Sequence, residues 1–279
     1  MTPMLGIDIS KWQGVSGMSE GRFDACHGAG IRFAVMRASV RTDADPSLTA
    51  NVRRARARGW EVVGAYHFLY HGSIREQAAV FARRVGDLLP FLDVEAKGVT
   101  LTDVREFVAR FRELRPDRPI GCYTAEGPWR SLTGNADGAA IFTGPLWDAR
   151  WTERGNLADA TLPATGPRPA YGGWREAALW QFGVLRVGRD IVDCDAFYGT
   201  QAELRELATG RPTAPPLEER PRYAVGYNAM VDAARAAVEA AVPAVEVPGP
   251  AWPKGRDDAR ADLLDAVGNL RMAEVPRGV

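Results

Sequence analysis

The chain has 279 residues, of which 46% are hydrophobic and 25% are charged, and its 35 basic and 35 acidic residues give a formal net charge of zero. Those fractions are typical of a folded globular protein rather than a disordered one. The balanced charge lacks the basic excess that marks most nucleic-acid-binding chains, so we expect no nucleic-acid partner. The chain has no apolar run of about 18 residues and no leader with a basic and then an apolar stretch. We therefore predict no membrane span and no signal peptide.

Cysteine and histidine are too few and too scattered to indicate a metal or redox site. The three cysteines, Cys26, Cys122 and Cys194, are odd in number and widely spaced, which argues against a disulfide framework and against CxxC ligand pairs. We interpret them as small buried side chains. The three histidines lack HExxH spacing. The sequence therefore predicts neither a metal nor a cofactor.

Short apolar runs alternate with helical patterns along the first part of the chain. We predict strands at 5–10, 33–38, 61–68, 90–95 and 119–124, and helices near 19–29, 47–58, 73–87 and 101–115. Alternation at this spacing is typical of a parallel β-sheet. The number of repeats favours a closed barrel over an open sheet. No GxGxxG turn follows the first strand, which argues against a dinucleotide-binding fold.

The rest of the chain is less regular. Predicted strands at 144–151, 178–183 and 190–199 are separated by glycine- and proline-rich loops without a clear helix. Four prolines in 211–221 indicate a stiff linker, and apolar spacing predicts helices at 222–242 and near 257–272. We therefore divide the chain into a barrel at 1–210, a linker at 211–221 and a helical tail at 222–279. The tail is expected to dock on the barrel, pair with another copy or bind another partner.

Acidic residues end several of the predicted strands. Asp93 and Glu95 lie two residues apart at the end of the strand at 90–95, so their side chains point to the same face. Asp8 ends the first strand, and Asp193 and Asp195 end the last one. The carboxyl ends of strands form the active face of a β/α barrel. A bare DxE pattern is common, and Asp93 as a helix cap with Glu95 as a solvated loop charge is the alternative. The regular placement of acids at strand ends favours a working site.

Carboxylates without metal ligands suit glycoside hydrolysis, which needs one protonated acid and one ionised partner. Nearby negative charges raise the pKa of one member of such a cluster. Aromatic residues at or just beyond the strand ends support a sugar ligand, because tyrosine and tryptophan suit a wet groove. They are Trp12, Tyr66, Phe68, Tyr123, Trp147, Trp151 and Trp180. For Phe68 and Trp147, core packing explains the position equally well.

Eight segments, taken in order, resemble the strand motifs of glycoside hydrolase family 25, the Chalaropsis-type lysozymes of bacteria, fungi and phage endolysins. They are GIDISKWQG (6–14), FAVMRAS (33–39), GAYHF (64–68), FLDVE (91–95), GCYT (121–124), LWDARW (146–151), LWQFG (179–183) and VDCDAFYG (192–199). The resemblance extends over about residues 4–200. It implies an irregular TIM-like β/α barrel with eight strands and fewer helices, followed here by the short α-helical tail.

The resemblance implies hydrolysis of the β-1,4 bond between N-acetylmuramic acid and N-acetylglucosamine in bacterial peptidoglycan. It implies that Glu95 is the general acid. Asp93 matches the partner carboxylate, which either attacks directly or orients the acetamido group of the substrate. Asp8 and Asp193 match further active-site acids. The candidate substrate-binding residues are Tyr66, Tyr123, Trp151, Trp180, Gln181 and Asp195.

The sequence also departs from the family pattern. Asp195 stands where the family often has asparagine, the segment 152–177 is long and loop-like, and the tail matches no choline-binding, LysM or SH3-like module. We expect a phage endolysin or virion-associated lysin that reaches the wall through a holin pore, in a virion or by non-classical secretion. Self-association or a virion partner through 222–272 is a further expectation.

Two alternatives stay open. One is a non-catalytic module of a phage tail that binds wall glycan, against which the complete set of acids argues. The other is a hydrolase of another N-acetylated glycan such as chitin. Chitinases of this type carry further acids before the final glutamate, whereas positions 89 and 91 here are Leu89 and Phe91.

Overall fold

A computed structural model describes residues 3–151, 162, 166, 168–187 and 190–209. The predicted linker and helical tail, and most of the loop at 152–177, lie outside the described residues. The proposed self-association or virion partner of the tail therefore stays a prediction. Among the described residues, no helix is long and apolar enough to span a lipid bilayer.

Strands and helices alternate through the described part of the chain. The strands are β1 (Met4–Ile9), β2 (Ile31–Val40), β3 (Asp43–Ala44), β4 (Glu61–Phe68), β5 (Leu89–Asp93), β6 (Gly121–Thr124), β7 (Leu146–Ala149), β8 (Leu179–Val187) and β9 (Asp190–Phe197). The helices are α1 (Glu20–Gly28), α2 (Leu48–Ala57), α3 (Ile74–Arg84), α4 (Leu101–Leu114), α5 (Glu126–Thr133), α6 (Gly138–Ile141) and α7 (Gln201–Thr209), with a 3-10 turn at Lys11–Gln13.

Eight of these strands close into a barrel. The order is β1-β9-β8-β7-β6-β5-β4-β2, and pairing of β1 with β2 completes the circle, while β3 only extends the edge of β2. Seven strands are parallel, but β9 runs antiparallel to both β8 and β1. The predicted irregular barrel is confirmed, and the strands from which a parallel sheet was predicted are parallel, whereas the last strand is antiparallel. Only two residues separate β8 from β9, and so short a connection allows only an antiparallel hairpin.

Helices α1 and α4 begin at side-chain caps. The Ser19 hydroxyl accepts a hydrogen bond from the Arg22 amide, and Thr100 and Asp103 form a reciprocal capping box. The sequence analysis did not predict α5, α6 and α7, which lie before the strand β7 and after the strand β9. Gly127 and Pro128 suggest a loop, yet both lie in the first turn of α5. Backbone amides in the first turn have no partner within the helix, so proline costs no hydrogen bond there.

The core consists of two layers separated by the strands. The outer layer lies between strands and helices, and it includes the three cysteines, which are buried and free as predicted. The inner layer fills the barrel, and Leu204 and Ala208 of α7 pack against it. The members of the inner layer are Phe33, Val35, Val63, Tyr66, Leu89, Phe91, Tyr123, Trp147, Leu179, Phe197, Leu204 and Ala208.

Glycines in two strands make room for the inner layer. Phe91 on β5 lies between Gly64 on β4 and Gly121 on β6, and a Cβ at either glycine would meet the Phe91 ring at 2.8 Å. Real Cβ atoms do not approach so closely, so these strands need glycine to seat the ring. The inner layer fills the interior of the barrel, and the acids lie at the carboxyl ends of its parallel strands.

Candidate active site

The predicted acids meet around one cavity at the carboxyl ends of the parallel strands. Seven of the ten candidate residues line it, including all four predicted catalytic acids. The lining consists of Asp8, Ile9, Ser10, Trp12, Gln13, Arg37, Tyr66, Phe68, Asp93, Glu95, Tyr123, Trp147, Gln181 and Asp193. The cavity therefore combines four carboxyl groups from β1, β5 and β9 with an aromatic surface.

The segment that carries Asp93 and Glu95 is held to β6 by two contacts of the Val94 backbone. The Val94 amide donates to the Tyr123 carbonyl at 2.9 Å, and the Thr124 hydroxyl donates to the Val94 carbonyl at 2.7 Å. Asp93 ends β5 and is only 3% exposed, and its Oδ1 is buried without a hydrogen-bond partner. Glu95 lies just beyond the strand and is exposed. The two acids thus differ in depth within one cavity.

The antiparallel direction of β9 separates its two acids in depth. Asp193 lies opposite Asp8, whereas Asp195 lies opposite Gly6, one step deeper in the barrel. Asp195 is fully buried, and its Oδ1 accepts a hydrogen bond of 2.8 Å from the Trp147 indole. The expectation that both acids end the last strand is therefore wrong. In a parallel strand Asp195 would have been the acid nearer the mouth.

Gln181 on β8 connects three polar groups at the cavity wall. Its Nε2 donates to Asp8 Oδ2 at 2.7 Å, and its Oε1 accepts from the Tyr123 hydroxyl at 3.0 Å and from the Trp151 indole at 2.7 Å. The sequence indicated Gln181 as a substrate-binding residue. Its contacts in this structure are to the protein, and they fix the orientation of Asp8.

We predict that Gln181→Leu lowers kcat/KM by about tenfold, because it removes the hydrogen bonds that Gln181 makes with Asp8, Tyr123 and Trp151. Tyr123→Phe removes one of the three hydrogen bonds and is expected to have a smaller effect. Initial rates on purified peptidoglycan, together with the melting temperatures of both variants, provide the measurement. A Gln181→Leu variant with wild-type kcat/KM would contradict the positioning role.

Aromatic rings form the floor of the cavity. The Trp147 ring lies 4.5 Å from Tyr123, 5.9 Å from Tyr66 and 5.6 Å from Phe91, measured between centroids and in edge-to-face geometry. Trp147 is 1% exposed yet lines the cavity, so it belongs both to the packed core and to the cavity surface. A floor of this kind gives sugar rings an apolar surface beneath the carboxyl groups.

Three tryptophans occupy different positions relative to the cavity. Trp180 faces the outer layer, where it is 3% exposed and its indole donates to the Arg150 carbonyl at 2.8 Å, so the structure does not bring it to the cavity. Trp151 is 45% exposed and contacts the cavity through Gln181. Trp12 is 78% exposed on the 3-10 turn and belongs to the lining.

Arg37 on β2 is a cavity residue that the sequence analysis did not identify. It is 5% exposed, and its Nε donates to Asp45 Oδ2 at 2.7 Å, while its Nη2 is buried without a partner. In the sequence, Arg37 is a lone arginine inside the apolar run FAVMRAS. A buried charge requires a partner, so an arginine in such a run indicates a buried ion pair.

Burial raises the pKa of every carboxyl group in the cavity. It raises the pKa of Asp8, with further increases from Asp193 and Glu95 that the Gln181 hydrogen bond opposes. It raises the pKa of Asp93, with Glu95 and Asp8 adding to the effect and Arg37 opposing it. Burial and Asp193 raise the pKa of Glu95, and burial raises the pKa of Asp193 to about 6. The cluster therefore retains protons at mildly acidic pH, which supplies an acid for proton transfer.

Among the described residues, no cluster of His, Cys, Asp and Glu has the arrangement of a metal site. A closed β/α barrel with paired carboxyl groups at the carboxyl ends of its strands is an architecture of glycoside hydrolases. A model of the glycosyl hydrolases family 25 matches residues 7–185. The chain therefore belongs to this family. It is a glycoside hydrolase of the lysozyme class, and the family supports peptidoglycan as its substrate.

Solved structures with similar folds agree with this assignment. The bacterial lysozyme from Streptomyces coelicolor is 28% identical with a TM-score of 0.58, and the match covers 75% of this chain and 99% of that chain. The muramidase from Trichobolus zukalii is 26% identical with a TM-score of 0.58, covering 74% and 99%. The catalytic domain of endolysin ply40 from bacteriophage P40 of Listeria monocytogenes, 20% identical with a TM-score of 0.51 and covering 74% and 97%, shares the fold. A search of curated proteins finds no match to this chain.

Proposed function

We propose that the protein is an N-acetylmuramidase that cleaves the β-1,4 bond between N-acetylmuramic acid and N-acetylglucosamine. Glu95 is the general acid in this proposal, and Asp93 is its ionised partner. The observation that carries the proposal is the convergence of Asp8, Asp93, Glu95 and Asp193 on one cavity with an aromatic floor. Two similar structures above 25% identity are named lysozyme and muramidase, which supports the same substrate.

The depth of each acid suggests its task. Glu95 is exposed to the cavity, where its proton can reach the oxygen of the departing sugar. Asp93 lies deeper, where a carboxylate stabilises the positive charge that develops at the anomeric carbon, either by attack or by orienting the acetamido group. Asp8 and Asp193 add negative charge to the cavity and are proposed to position the sugar, and Asp193 is proposed to keep a proton on Glu95.

Analysis of reaction products tests the proposed bond. Purified protein is incubated with peptidoglycan from several high-G+C bacteria, and the new reducing ends are reduced with borodeuteride and identified by mass spectrometry. We expect muramic-acid ends and no release from chitin. Glucosamine ends would contradict the muramidase assignment. Failure to release any ends from every wall would favour a glycan-binding module instead.

We also propose that the protein is a phage lysin, either an endolysin released through a holin or an enzyme carried in a virion. The shared fold with a phage endolysin domain supports this origin. Expression in a host whose wall the purified protein digests, with and without a co-expressed holin, tests the delivery route. Lysis that requires the holin is expected, and lysis of equal speed without it would contradict release through a pore.

A further inference from the structure

The cavity and its mouth carry opposite charges. Four carboxyl groups line the interior, whereas Lys11 and Arg41 lie just past the ends of the parallel strands β1 and β2. The carboxyl ends of parallel strands share one face of a barrel, so both cations lie on the face that holds the cavity. This face therefore has an acidic interior and cations beyond the strand ends.

The register of the strands places Arg41 close to the acids. Val40 on β2 pairs with Phe68 on β4, and Phe68 pairs with Asp93 on β5. Arg41 thus lies one residue beyond the level of Asp93 and two strands away, which is about 10 Å across the sheet. Phe68 lines the cavity, and its carbonyl accepts a hydrogen bond of 3.4 Å from the Arg41 amide. Arg41 is therefore anchored at the edge of the cavity.

An aromatic ring supports the side chain of Arg41. Its guanidinium Cζ lies 4.0 Å from the centroid of Tyr70, whose ring lies 5.2 Å from that of Phe68. The φ of Arg41 is 51°, a left-handed value that non-glycine residues rarely adopt. Stacking occupies the face of a guanidinium and leaves the N–H donors in its plane available to a carboxylate. The exposed Asp43 is close in sequence, yet it forms no ion pair with Arg41 within the described part of the chain.

Lys11 has a similar arrangement beyond β1. Its Nζ lies 5.9 Å from the centroid of Trp12, which lines the cavity and is exposed. The Lys11 amide donates to Asp45 Oδ2 at 3.1 Å, which ties this turn to the segment after β2. Within the described residues, neither Lys11 nor Arg41 pairs with an acid. We call Lys11, Trp12, Arg41 and Tyr70 the basic rim.

We propose that the basic rim binds carboxylate groups of the peptide attached to muramic acid while the glycan occupies the acidic cavity. This inference rests on the proposed muramidase function. The peptide is joined to the lactyl group of muramic acid and carries the free carboxylates of its acidic and terminal residues. The four acids of the interior repel these carboxylates, so the peptide leaves through the mouth, where the cations attract it. An arginine supported by a ring suits a carboxylate, which it can bind through two parallel hydrogen bonds.

The first test compares soluble peptide-bearing glycan strands with the same strands after conversion of their carboxyl groups to amides. On the unmodified strands we expect Lys11→Gln and Arg41→Gln each to raise KM by about threefold, and the double variant by about tenfold. The value of kcat should stay, because the rim does not touch the reacting atoms. On the amidated strands the wild type and the variants should have the same KM.

Two control variants separate a defined site from general attraction between charges. Arg112→Gln removes an exposed arginine from the last turn of α4, at the end of that helix far from the mouth, and should leave KM unchanged. Lys97→Gln removes an exposed lysine two residues beyond Glu95, for which the described residues provide no ring. A rise in KM for Lys97→Gln equal to that for Arg41→Gln would overturn the inference.

The second test uses the wild type alone and so covers variants that fail to fold. Amidation of the strands should raise its KM by about tenfold, and salt between about 50 and about 300 mM should raise KM on the unmodified strands alone. A KM that amidation leaves unchanged would overturn the inference. So would an equal loss by the double variant on strands freed of peptide, since the rim would then bind the sugar or its lactyl group. Failure of the proposed function has another signature, namely no muramic-acid ends from any of these strands.

Discussion

Replacing Glu95 by glutamine will lower kcat on peptidoglycan by about a thousandfold, because the amide cannot donate a proton to the departing sugar oxygen. Glutamine keeps the size of the side chain, and Glu95 is exposed, so the fold should persist. Substrate affinity should change little, since the loss occurs in the transition state. Reducing-end release measured at several substrate concentrations separates kcat from KM.

The control for this variant is Glu126→Gln on α5. Glu126 is an exposed glutamate that pairs with Arg130 at 2.9 Å, four residues along the same helix, and pairs of this kind contribute little to stability. It should match the wild type in both rate and melting temperature. A Glu95→Gln variant that retains more than about a tenth of the wild-type kcat would remove Glu95 from the role of general acid.

The sequence was sufficient to predict the barrel because local patterns determine it. The strands from β1 to β6 are short apolar runs, most of them followed by a helix, and these signals depend on residues close in the chain. The acids were predictable for the same reason, since Asp8, Asp93 and Glu95 follow apolar runs directly. Their convergence then follows from barrel topology, which brings the carboxyl ends of parallel strands to one face.

The alternation of side chains along a strand would have corrected one candidate. Trp180 and Gln181 are adjacent on β8, so they point to opposite faces of the sheet and cannot both line the cavity. The structure puts Gln181 at the cavity and Trp180 in the outer layer. The family motif includes both residues, whereas strand geometry places only Gln181 at the cavity.

Other features depended on contacts between distant parts of the chain. The direction of β9 follows from its short connection to β8, and that direction decides which of its two acids lies deeper. The partner of Arg37 is Asp45, which lies beyond the end of β2 in a turn that returns toward the barrel. The sequence of β2 alone shows a buried arginine without a partner, so the ion pair with Asp45 becomes visible only in the fold.

The second large effect concerns Asp195, which stands where the family often has asparagine. Asp195 Oδ1 accepts from the Trp147 indole, while its Oδ2 is buried without a partner. Burial raises the pKa of Asp195, and the charges of Asp8 and Asp193 raise it further, whereas the Trp147 hydrogen bond lowers it. Trp147 also forms the floor of the cavity, so Asp195 supports the site from beneath.

The sign of the pH effect follows from the raised pKa. In the unfolded chain Asp195 ionises near its ordinary pKa of 3.8, whereas in the fold it keeps its proton to higher pH. The stability that this proton contributes is complete below about pH 4. It is lost as pH rises toward the pKa of the folded state, because the unfolded chain gains from releasing the proton.

Asp195→Asn should therefore stabilise the protein at neutral pH. Asparagine keeps an oxygen for the Trp147 indole, stays neutral at every pH and adds N–H donors to a cluster of acceptors. We expect the free energy of unfolding to increase by about 1–3 kcal/mol at pH 7, which raises the melting temperature by about 2–4 °C per kcal/mol. At pH 4, where the wild-type side chain is also neutral, the difference should nearly vanish.

A variant with the opposite sign makes this test sharper. Although burial raises the pKa of Asp103, hydrogen bonds from His71 and Thr100 lower it below its ordinary value, so its charge stabilises the fold above the unfolded pKa. Asp103→Asn should therefore lose stability at pH 7 and also at pH 4, and this loss should shrink only as pH falls below the ordinary pKa of 3.8. Thermal unfolding of both variants between pH 2 and pH 8 measures the two slopes. If Asp195→Asn is less stable than the wild type at pH 8, the Trp147 indole holds Asp195 as a carboxylate, and the fold tolerates a buried negative charge beneath its active site.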